Sequence, residues 1–202
     1  VQGVQRRLAR PARRVTTPVV PEPVVPEPVV PEPVVPEPVV PEPGSELRIR
    51  EAVRALVIDP DDRVLLVRFE FPNTGTHWAT PGGGVEPGET DHQALHRELE
   101  EELGLGGVTI GPQIWTRLHI IPFISGHHDG QRERIYLVRT AAFEPQPRLS
   151  WEALNAEYVF ELRWWRADEL EASLPMVPAR FIEHLTALRR HGPPKQPIDV
   201  GI

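Results

Sequence analysis

The sequence predicts one globular α/β (α+β) domain in which a β-sheet is covered by helices on both faces. Two apolar runs, at 52–58 and 64–68, flank the turn sequence Asp59-Pro60-Asp61-Asp62 and predict a pair of strands. Because both runs are apolar apart from Arg54 and Arg68, neither face of these strands should meet water, as in a sheet between helices. An amphipathic helical pattern follows the strands and supplies one of those helices.

A helix is predicted at 91–103, shortly after the three glycines at 82–84. Thr90 and Gln93 have the spacing of a capping box, which begins a helix by satisfying its free N–H groups. Gly104 stands where a left-handed residue ends a helix. The glycines before the helix lack Cβ atoms, so their backbone can approach a ligand or an ion closely.

One side of this predicted helix carries an unfavourable concentration of negative charge. Leucines form its apolar stripe, and Glu98, Glu101 and Glu102 gather on the neighbouring face. Glu98 and Glu102 are like charges four residues apart, which costs roughly 0.2–0.5 kcal/mol, and the helix dipole disfavours anions in the last turn. A solvated acidic surface explains such a face. The alternative is a compensating cation, namely Mg²⁺ or Mn²⁺ bound together with a phosphate ester.

The rest of the domain continues the pattern of strands and helices. Further strands are predicted at 108–121, 134–142 and 158–165, with a long loop before the last of them. A final helix is predicted with Pro178 in its first turn and its end near Gly192. The residues from 192 to 202 are predicted to be a tail.

Residues 1–44 form a separate segment of low complexity. The pentapeptide Val-Val-Pro-Glu-Pro repeats five times at 19–43, and proline at this density excludes a helix or a central strand, so an extended spacer is predicted. An arginine cluster precedes the repeats and is predicted to be a disordered tail. The domains are therefore predicted at 1–44, 45–191 and 192–202. A tethering role of the repeats toward an unknown partner is left open.

The charge distribution separates the domain from this N-terminal segment. Residues 1–44 contain five Arg and five Glu, so the whole net charge of −7 belongs to the remaining residues. An acidic domain argues against nonspecific nucleic-acid binding. The chain has no cysteine, which excludes disulfides and a cysteine nucleophile, and it has no apolar run of the length that a membrane span needs. A cytoplasmic protein is expected, and homodimerisation is left open.

The spacing within the glycine-rich loop and the helix is specific. The fixed positions are Gly83, Glu89, Arg97, Glu98, Leu99, Glu101, Glu102, Gly104 and Leu105. This pattern resembles the signature of the Nudix hydrolase family at every specified position. The sequences at 78–81 and 161–165 also resemble Nudix proteins, less specifically. The resemblance implies a Nudix fold, which is a mixed β-sheet sandwiched between helices (α/β/α), and metal-dependent hydrolysis of a nucleoside diphosphate linked to another moiety.

The resemblance also implies a set of metal ligands and catalytic residues. The implied ligands of Mg²⁺ or Mn²⁺ are Glu98, Glu101, Glu102 and the backbone carbonyl of Gly82. Within the signature, Glu98, Glu101 and Arg97 are expected to act in catalysis. Arg97 is expected to position the carboxylates by ion pairing, with Glu89 as its partner.

The general base is left open between a glutamate of the helix and a carboxylate from a later segment. Glu98 can combine metal binding with the role of base, whereas Glu161 is the first choice among later residues and Glu157 the second. Arg68 and Trp78 are candidate substrate contacts, for a phosphate and for a stacked base respectively. Arg54 is a further candidate for a phosphate contact, and a position on the sheet surface is the alternative for both arginines. Packing in the core explains most aromatic side chains in a domain of this size, and it is the alternative for Trp78.

The expected substrate is a small nucleotide, and its class is left open among nucleotide sugars, ADP-ribose, dinucleoside polyphosphates and normal or oxidised nucleoside triphosphates. A nucleotide-sensing module without turnover is the main alternative, although the complete set of signature carboxylates disfavours it. An isomerase resembling the isopentenyl diphosphate isomerases would need a catalytic cysteine, which this chain lacks. A further alternative places the function in residues 1–44, with the domain as cargo.

Overall fold

The structure is a computed structural model that describes residues 46–72, 74–120, 126–170 and 174–201. The predicted N-terminal tail and proline repeats at 1–44 lie outside the described residues. The helices within the described ranges are α1 (Asp91–Leu103), α2 (Trp151–Ala156) and α3 (Phe181–His191). None of these helices is long and apolar enough to cross a membrane.

The strands of the described part form one mixed sheet. They are β1 (Ile49–Ile58), β2 (Val64–Phe71), β3 (Gly75–Ala79), β4 (Ile110–His119), β5 (Gly130–Arg139), β6 (Val159–Trp165), β7 (Met176–Val177) and β8 (Ile198–Asp199). The order across the sheet is β7-β3-β2-β1-β5-β4-β8, and β6 pairs with β2. β1 and β5 are parallel along their whole length, whereas β2 is antiparallel to β1, β3 and β6. The predicted mixed sheet is confirmed.

The sheet opens between β1 and β3. β1 pairs with the first two residues of β2, and β3 pairs with β2 from Val67 onward. Since β6 pairs with both of these parts of β2, β1 and β3 must share the opposite edge of β2. The segment after β3 then runs along β1, where the N–H groups of Val53 and Ala55 donate to the carbonyls of Gly83 and Pro81. The opening thus places the glycine-rich loop against the edge of β1.

Helices cover both faces of the sheet. The leucine stripe predicted for α1 is completely buried. It packs against the face of the sheet on which the side chains of Val53 and Ala55 of β1 lie. The opposite face is covered by α3 through Phe181, where Leu56 and Ile58 of β1 lie. Successive side chains of a strand point to opposite faces, so β1 contributes to both cores. Each fully buried leucine contributes about 1.5–3 kcal/mol. The sandwich of helices around a sheet is confirmed.

Several details differ from the sequence prediction. The long predicted loop contains α2, and the sequence gives no indication of the short strands β3, β7 and β8. α3 begins at Phe181 rather than around Pro178, because Pro178 lies in a preceding turn whose carbonyl accepts a hydrogen bond from the Phe181 N–H. The predicted C-terminal tail is also not free: β8 pairs with β4, and Val200 is buried. These elements depend on distant partners, which local sequence patterns do not show.

Candidate active site

Both predicted ends of α1 are present. The Thr90 side chain accepts a hydrogen bond from the Gln93 N–H, and the Gln93 side chain accepts one from the Thr90 N–H, so both halves of the capping box form. At the other end Gly104 has a φ of 68°, and its N–H donates to the Glu100 carbonyl. α1 therefore begins and ends where the sequence predicts, which fixes the orientation of its glutamates relative to the sheet.

The acidic last turn of α1 is compensated by a distant segment of the chain. The Gln146 N–H donates to the Leu103 carbonyl, and the Arg148 N–H donates to the Glu101 carbonyl. Arg148 also forms an ion pair with Glu100. These contacts supply the donors and the positive charge that a helix end favours, so the concentration of glutamates is tolerated.

Glu98 and Glu102 are the buried carboxylates of α1, at 9% and 5% exposed. The Glu102 Oε2 atom accepts a hydrogen bond of 2.8 Å from the Gly82 N–H. Burial raises the pKa of Glu98. Burial also raises the pKa of Glu102, to about 8, and the positive charge of Arg54 opposes this effect without cancelling it. Desolvated groups of this kind are stabilised as carboxylates when a cation lies beside them.

Arg97 ties α1 to the loop before it. Its guanidinium donates to both carboxylate oxygens of Glu89 at 2.9 Å, and to the Gly84 carbonyl at 2.9 Å. Its Nη1 atom also lies 2.7 Å from Glu98 Oε1 and 3.3 Å from Glu101 Oε2. The expected pairing of Arg97 with Glu89 is therefore present, and the hydrogen bond from Arg97 lowers the pKa of Glu89 to about 2.

At positions 82 and 83 the loop backbone lies so close to neighbouring atoms that only glycine fits. Gly82 has a φ of 124°, and a Cβ atom there would lie 2.3 Å from the Val53 carbonyl oxygen. A Cβ atom on Gly83 would lie 2.6 Å from the Glu98 carboxylate. The loop backbone thus lies directly against the glutamates of α1, as expected for residues that lack a side chain.

A buried ionic network lies beside this loop, and the sequence analysis does not predict it. Arg54 of β1 donates to the carbonyls of Gly82 and Thr80, and its Nε atom lies 3.2 Å from a carboxylate oxygen of Glu133 on β5. Glu133 also accepts a hydrogen bond of 3.0 Å from Arg117 on β4. The sequence signal for this network is Arg54, a charged residue within the otherwise apolar run at 52–58, since buried charges are normally paired.

Like Arg54, the candidate substrate contacts Arg68 and Trp78 are engaged within the protein. Arg68 pairs with Glu161 at 2.8 Å and with Glu70, and 26% of its side chain remains exposed. Trp78 is 6% exposed and packs edge-on against Trp165, with the ring centroids 4.9 Å apart. Trp78 therefore belongs to the core below α3, and its position gives no support to a role in stacking on a base.

The two later carboxylates differ in their relation to α1. Glu157 is the residue at which α2 ends. Burial is the main cause of the raised pKa of Glu102, and the negative charge of Glu157 contributes to it as well. Glu161 lies on β6, and its carboxylate accepts a hydrogen bond from Arg68. Glu157, the second choice from the sequence, thus lies within electrostatic range of Glu102, whereas Glu161 pairs with Arg68 on the neighbouring strand β2.

The oxygen atoms around the glycine-rich loop and α1 are suitable ligands for a hard divalent cation. Within the described ranges, no three His, Cys, Asp or Glu side chains already converge on one point. Oxygen donors are nevertheless available from Glu98, Glu102 and the more exposed Glu101, next to the carbonyl of Gly82. The burial of Glu102 without a cationic hydrogen-bond donor, among the described residues, is the observation that favours a cation, because a positive charge would stabilise its carboxylate.

Comparison with known proteins agrees with this geometry. The NUDIX domain profile matches residues 48–185. The chain belongs to the NUDIX family. The nucleoside triphosphatase NudI of Salmonella typhimurium is 44% identical over 71 residues, which are 35% of this chain and 48% of NudI. The RNA pyrophosphohydrolase of Rickettsia bellii is 28% identical over 131 residues, which are 61% of this chain and 79% of that protein. This NUDIX chain thus spans about half the length of the NudI relatives that it matches.

Solved NUDIX structures share the fold. The MutT NUDIX hydrolase from Burkholderia pseudomallei has a TM-score of 0.52 and 23% identity, and the likeness covers 69% of this chain and 97% of that one. The MutT protein from Methanosarcina mazei Go1 has a TM-score of 0.55 and 21% identity, over 75% of this chain and 99% of that one. These likenesses confirm the predicted Nudix fold.

Proposed function

We propose that this NUDIX protein is a divalent-metal-dependent hydrolase that cleaves the pyrophosphate linkage of a nucleoside diphosphate derivative. The observation that carries the proposal is the burial of Glu98 and Glu102 against the glycine loop, beside the carbonyl of Gly82. The relatives support it, since one is named a nucleoside triphosphatase and another an RNA pyrophosphohydrolase.

Mg²⁺ or Mn²⁺ is the proposed cofactor, with Glu98, Glu101, Glu102 and the Gly82 carbonyl as the residues that would hold it. Such cations prefer oxygen ligands and are often bound jointly by carboxylates and substrate phosphates. When bound, the ion would neutralise charge on the pyrophosphate and lower the pKa of a water molecule. The carboxylates of α1 thereby attract the metal that an anionic substrate requires.

Arg97 is proposed as a positioning residue for these carboxylates. Its Nη1 atom contacts both Glu98 and Glu101, and Glu89 holds the other side of the same guanidinium. A guanidinium that is fixed by two hydrogen bonds to one carboxylate presents its remaining donors in fixed directions. Glu98 and Glu101 are therefore kept on the side of α1 that faces the loop.

A general base must orient the attacking water and accept its proton. Glu157 is our first candidate, because its charge acts on Glu102 and the residue is exposed, so that a proton can pass on to solvent. Glu161 is the second candidate, and it would have to exchange its contact with Arg68 for one with the water. Glu98 is the alternative within α1.

The substrate is proposed to be a nucleotide sugar, ADP-ribose, a dinucleoside polyphosphate or a normal or oxidised nucleoside triphosphate. The test is to incubate the full chain with each class in Mg²⁺, in Mn²⁺ and with a chelator. Metal-dependent release of phosphate, pyrophosphate or nucleoside monophosphate from one class is the expected result, and it would name that class. Nucleotide binding without release in either metal would contradict hydrolysis and favour a sensing module.

A further inference from the structure

We propose that Arg54 is a positioning residue that holds the glycine-rich loop, residues 80–84, in its observed conformation. Glu133 in turn holds the Arg54 guanidinium in place. Arg54 lies on β1, outside the glycine loop and α1 that carry the family signature. The proposal rests on the proposed function in one respect, namely that the Gly82 carbonyl is a metal ligand. It assigns a role to a buried ion pair that the mechanism above does not use.

The backbone carbonyls of the loop are satisfied in two different ways. The carbonyls of Pro81 and Gly83 accept hydrogen bonds from the backbone of β1. The carbonyls of Thr80 and Gly82 instead accept from Arg54 Nη1, with a separation of 3.4 Å for Thr80 and a closer contact for Gly82. A buried carbonyl without a donor is costly, so Arg54 completes the hydrogen bonding of this segment.

The guanidinium of Arg54 is itself held in place. Its Nε atom lies 3.2 Å from Glu133 Oε1, and only 13% of the Arg54 side chain and 7% of the Glu133 side chain are exposed. Gln131 and Arg117 donate to the same carboxylate at 2.8 Å and 3.0 Å. Burial alone would raise the pKa of Glu133, but the charges of Arg54 and Arg117 outweigh it and lower that pKa to about 2. Glu133 is thus a fixed anion at neutral pH.

The contact from Arg54 leaves the Gly82 carbonyl able to bind a cation. A carbonyl oxygen has two lone pairs, so it can accept from a guanidinium and still coordinate an ion. The N–H of Gly82 donates at the same time to Glu102, so the backbone of this one glycine is tied to both Arg54 and a carboxylate of α1. A loss of Arg54 should therefore loosen the carbonyl and its neighbouring carboxylate together.

The test compares Arg54→Met with Arg117→Met, which removes a guanidinium from the same network but leaves the loop contacts intact. Mn²⁺ affinity is measured without substrate by electron paramagnetic resonance, and amide hydrogen exchange is followed over residues 78–86. Since the loss of a residue that supports metal ligands typically weakens binding 10–100-fold, Arg54→Met should weaken Mn²⁺ binding by about this factor. It should also accelerate exchange in the loop, with Arg54→Lys intermediate. Arg117→Met should change both readouts far less than Arg54→Met, because Glu133 keeps its contacts with Arg54 and Gln131.

The double variant Arg54→Met/Glu133→Gln removes both members of the ion pair, and glutamine at position 133 keeps an oxygen that can accept from Arg117, so the test stays valid if the single variant fails to fold. Wild-type Mn²⁺ affinity and loop exchange in this folded double variant would overturn the proposal. Failure of the proposed function gives a different result. In that case the wild-type protein hydrolyses none of the substrates, while the exchange measurement still reports whether Arg54 holds the loop.

Discussion

Glu102 shows at the scale of one residue how the candidate site departs from ordinary protein structure. Buried carboxylates are normally paired with cationic side chains, because desolvation of a lone charge costs several kcal/mol. Among the described residues, the hydrogen bond to Glu102 comes from the backbone of Gly82. The raised pKa of Glu102 follows mainly from this burial. A residue in this condition is best explained by a ligand that supplies positive charge.

The general base is a second question at the scale of the residue. Glu157→Gln is expected to lower kcat by roughly 10²–10⁴-fold, which is the usual contribution of a general base. Mn²⁺ affinity should not change, because Glu157 is not among the proposed metal ligands. Glu161→Gln is the matched control, and it should retain most of kcat since its carboxylate is paired with Arg68.

Steady-state kinetics of the two variants decide between these residues. A loss of kcat in Glu161→Gln together with wild-type kcat in Glu157→Gln would contradict the assignment of Glu157 and return the role to Glu161. Unchanged rates in both variants would remove both residues from the mechanism and leave Glu98 as the base.

At the scale of the element, α1 could be predicted to its end residues because its signals are local. Thr90, Gln93 and Gly104 all lie at its own ends, so no knowledge of the rest of the fold is needed. The contact between Arg54 and Glu133 joins residues that are 79 positions apart, and periodicity cannot pair such residues. The same reason explains why the two-residue strands, which exist only by pairing with distant strands, could not be predicted.

The end of α1 gives a prediction at this scale. Gly104 and Gly107 have nearly the same φ, 68° and 67°, but a Cβ atom on Gly104 would lie 2.1 Å from the Gln146 carbonyl oxygen, whereas one on Gly107 meets nothing within 4 Å. Gly107→Ala should therefore cost about 1–2 kcal/mol from left-handed backbone strain alone. Gly104→Ala should cost more, because the Gln146 backbone must also move. Urea unfolding measures both losses, and equal losses would contradict this account of the helix end.

At the scale of the whole domain, one face of the sheet is apolar core in one part and a charged support for the candidate site in another. Leu56 and Leu137 lie in the apolar core below α3. Arg54 and Glu133 lie on the same strands, point to the same face and form an ion pair, through which Arg54 is held against the glycine-rich loop. The sheet thus changes from a packing surface to a polar support of the candidate site along the length of β1 and β5. Strand periodicity predicts which face a residue occupies, but it does not predict this change from apolar packing to polar contacts along one face.

Removal of residues 1–44 is a prediction about the whole chain. Among the described residues, Glu98, Glu102, Arg97 and the glycine-rich loop build the candidate site with partners from the domain itself, so the shortened protein should keep the kcat/KM of the full chain. The measurement is hydrolysis of the same substrate by both proteins at equal concentration. A large loss of kcat/KM in the shortened protein would contradict the predicted spacer and place part of the N-terminal segment at the site.

The replacement of Glu102 by Gln tests the central claim most directly. Glutamine keeps an oxygen that can accept from the Gly82 N–H, so the fold should persist while one metal ligand loses its charge. Glu100→Gln is the matched control, because Glu100 lies on the same helix and pairs with Arg148. The measurement is Mg²⁺-dependent turnover of the substrate class that is identified by incubating the full chain with each candidate class. The account predicts a loss of orders of magnitude in Glu102→Gln and wild-type turnover in Glu100→Gln, whereas wild-type turnover in Glu102→Gln would contradict it.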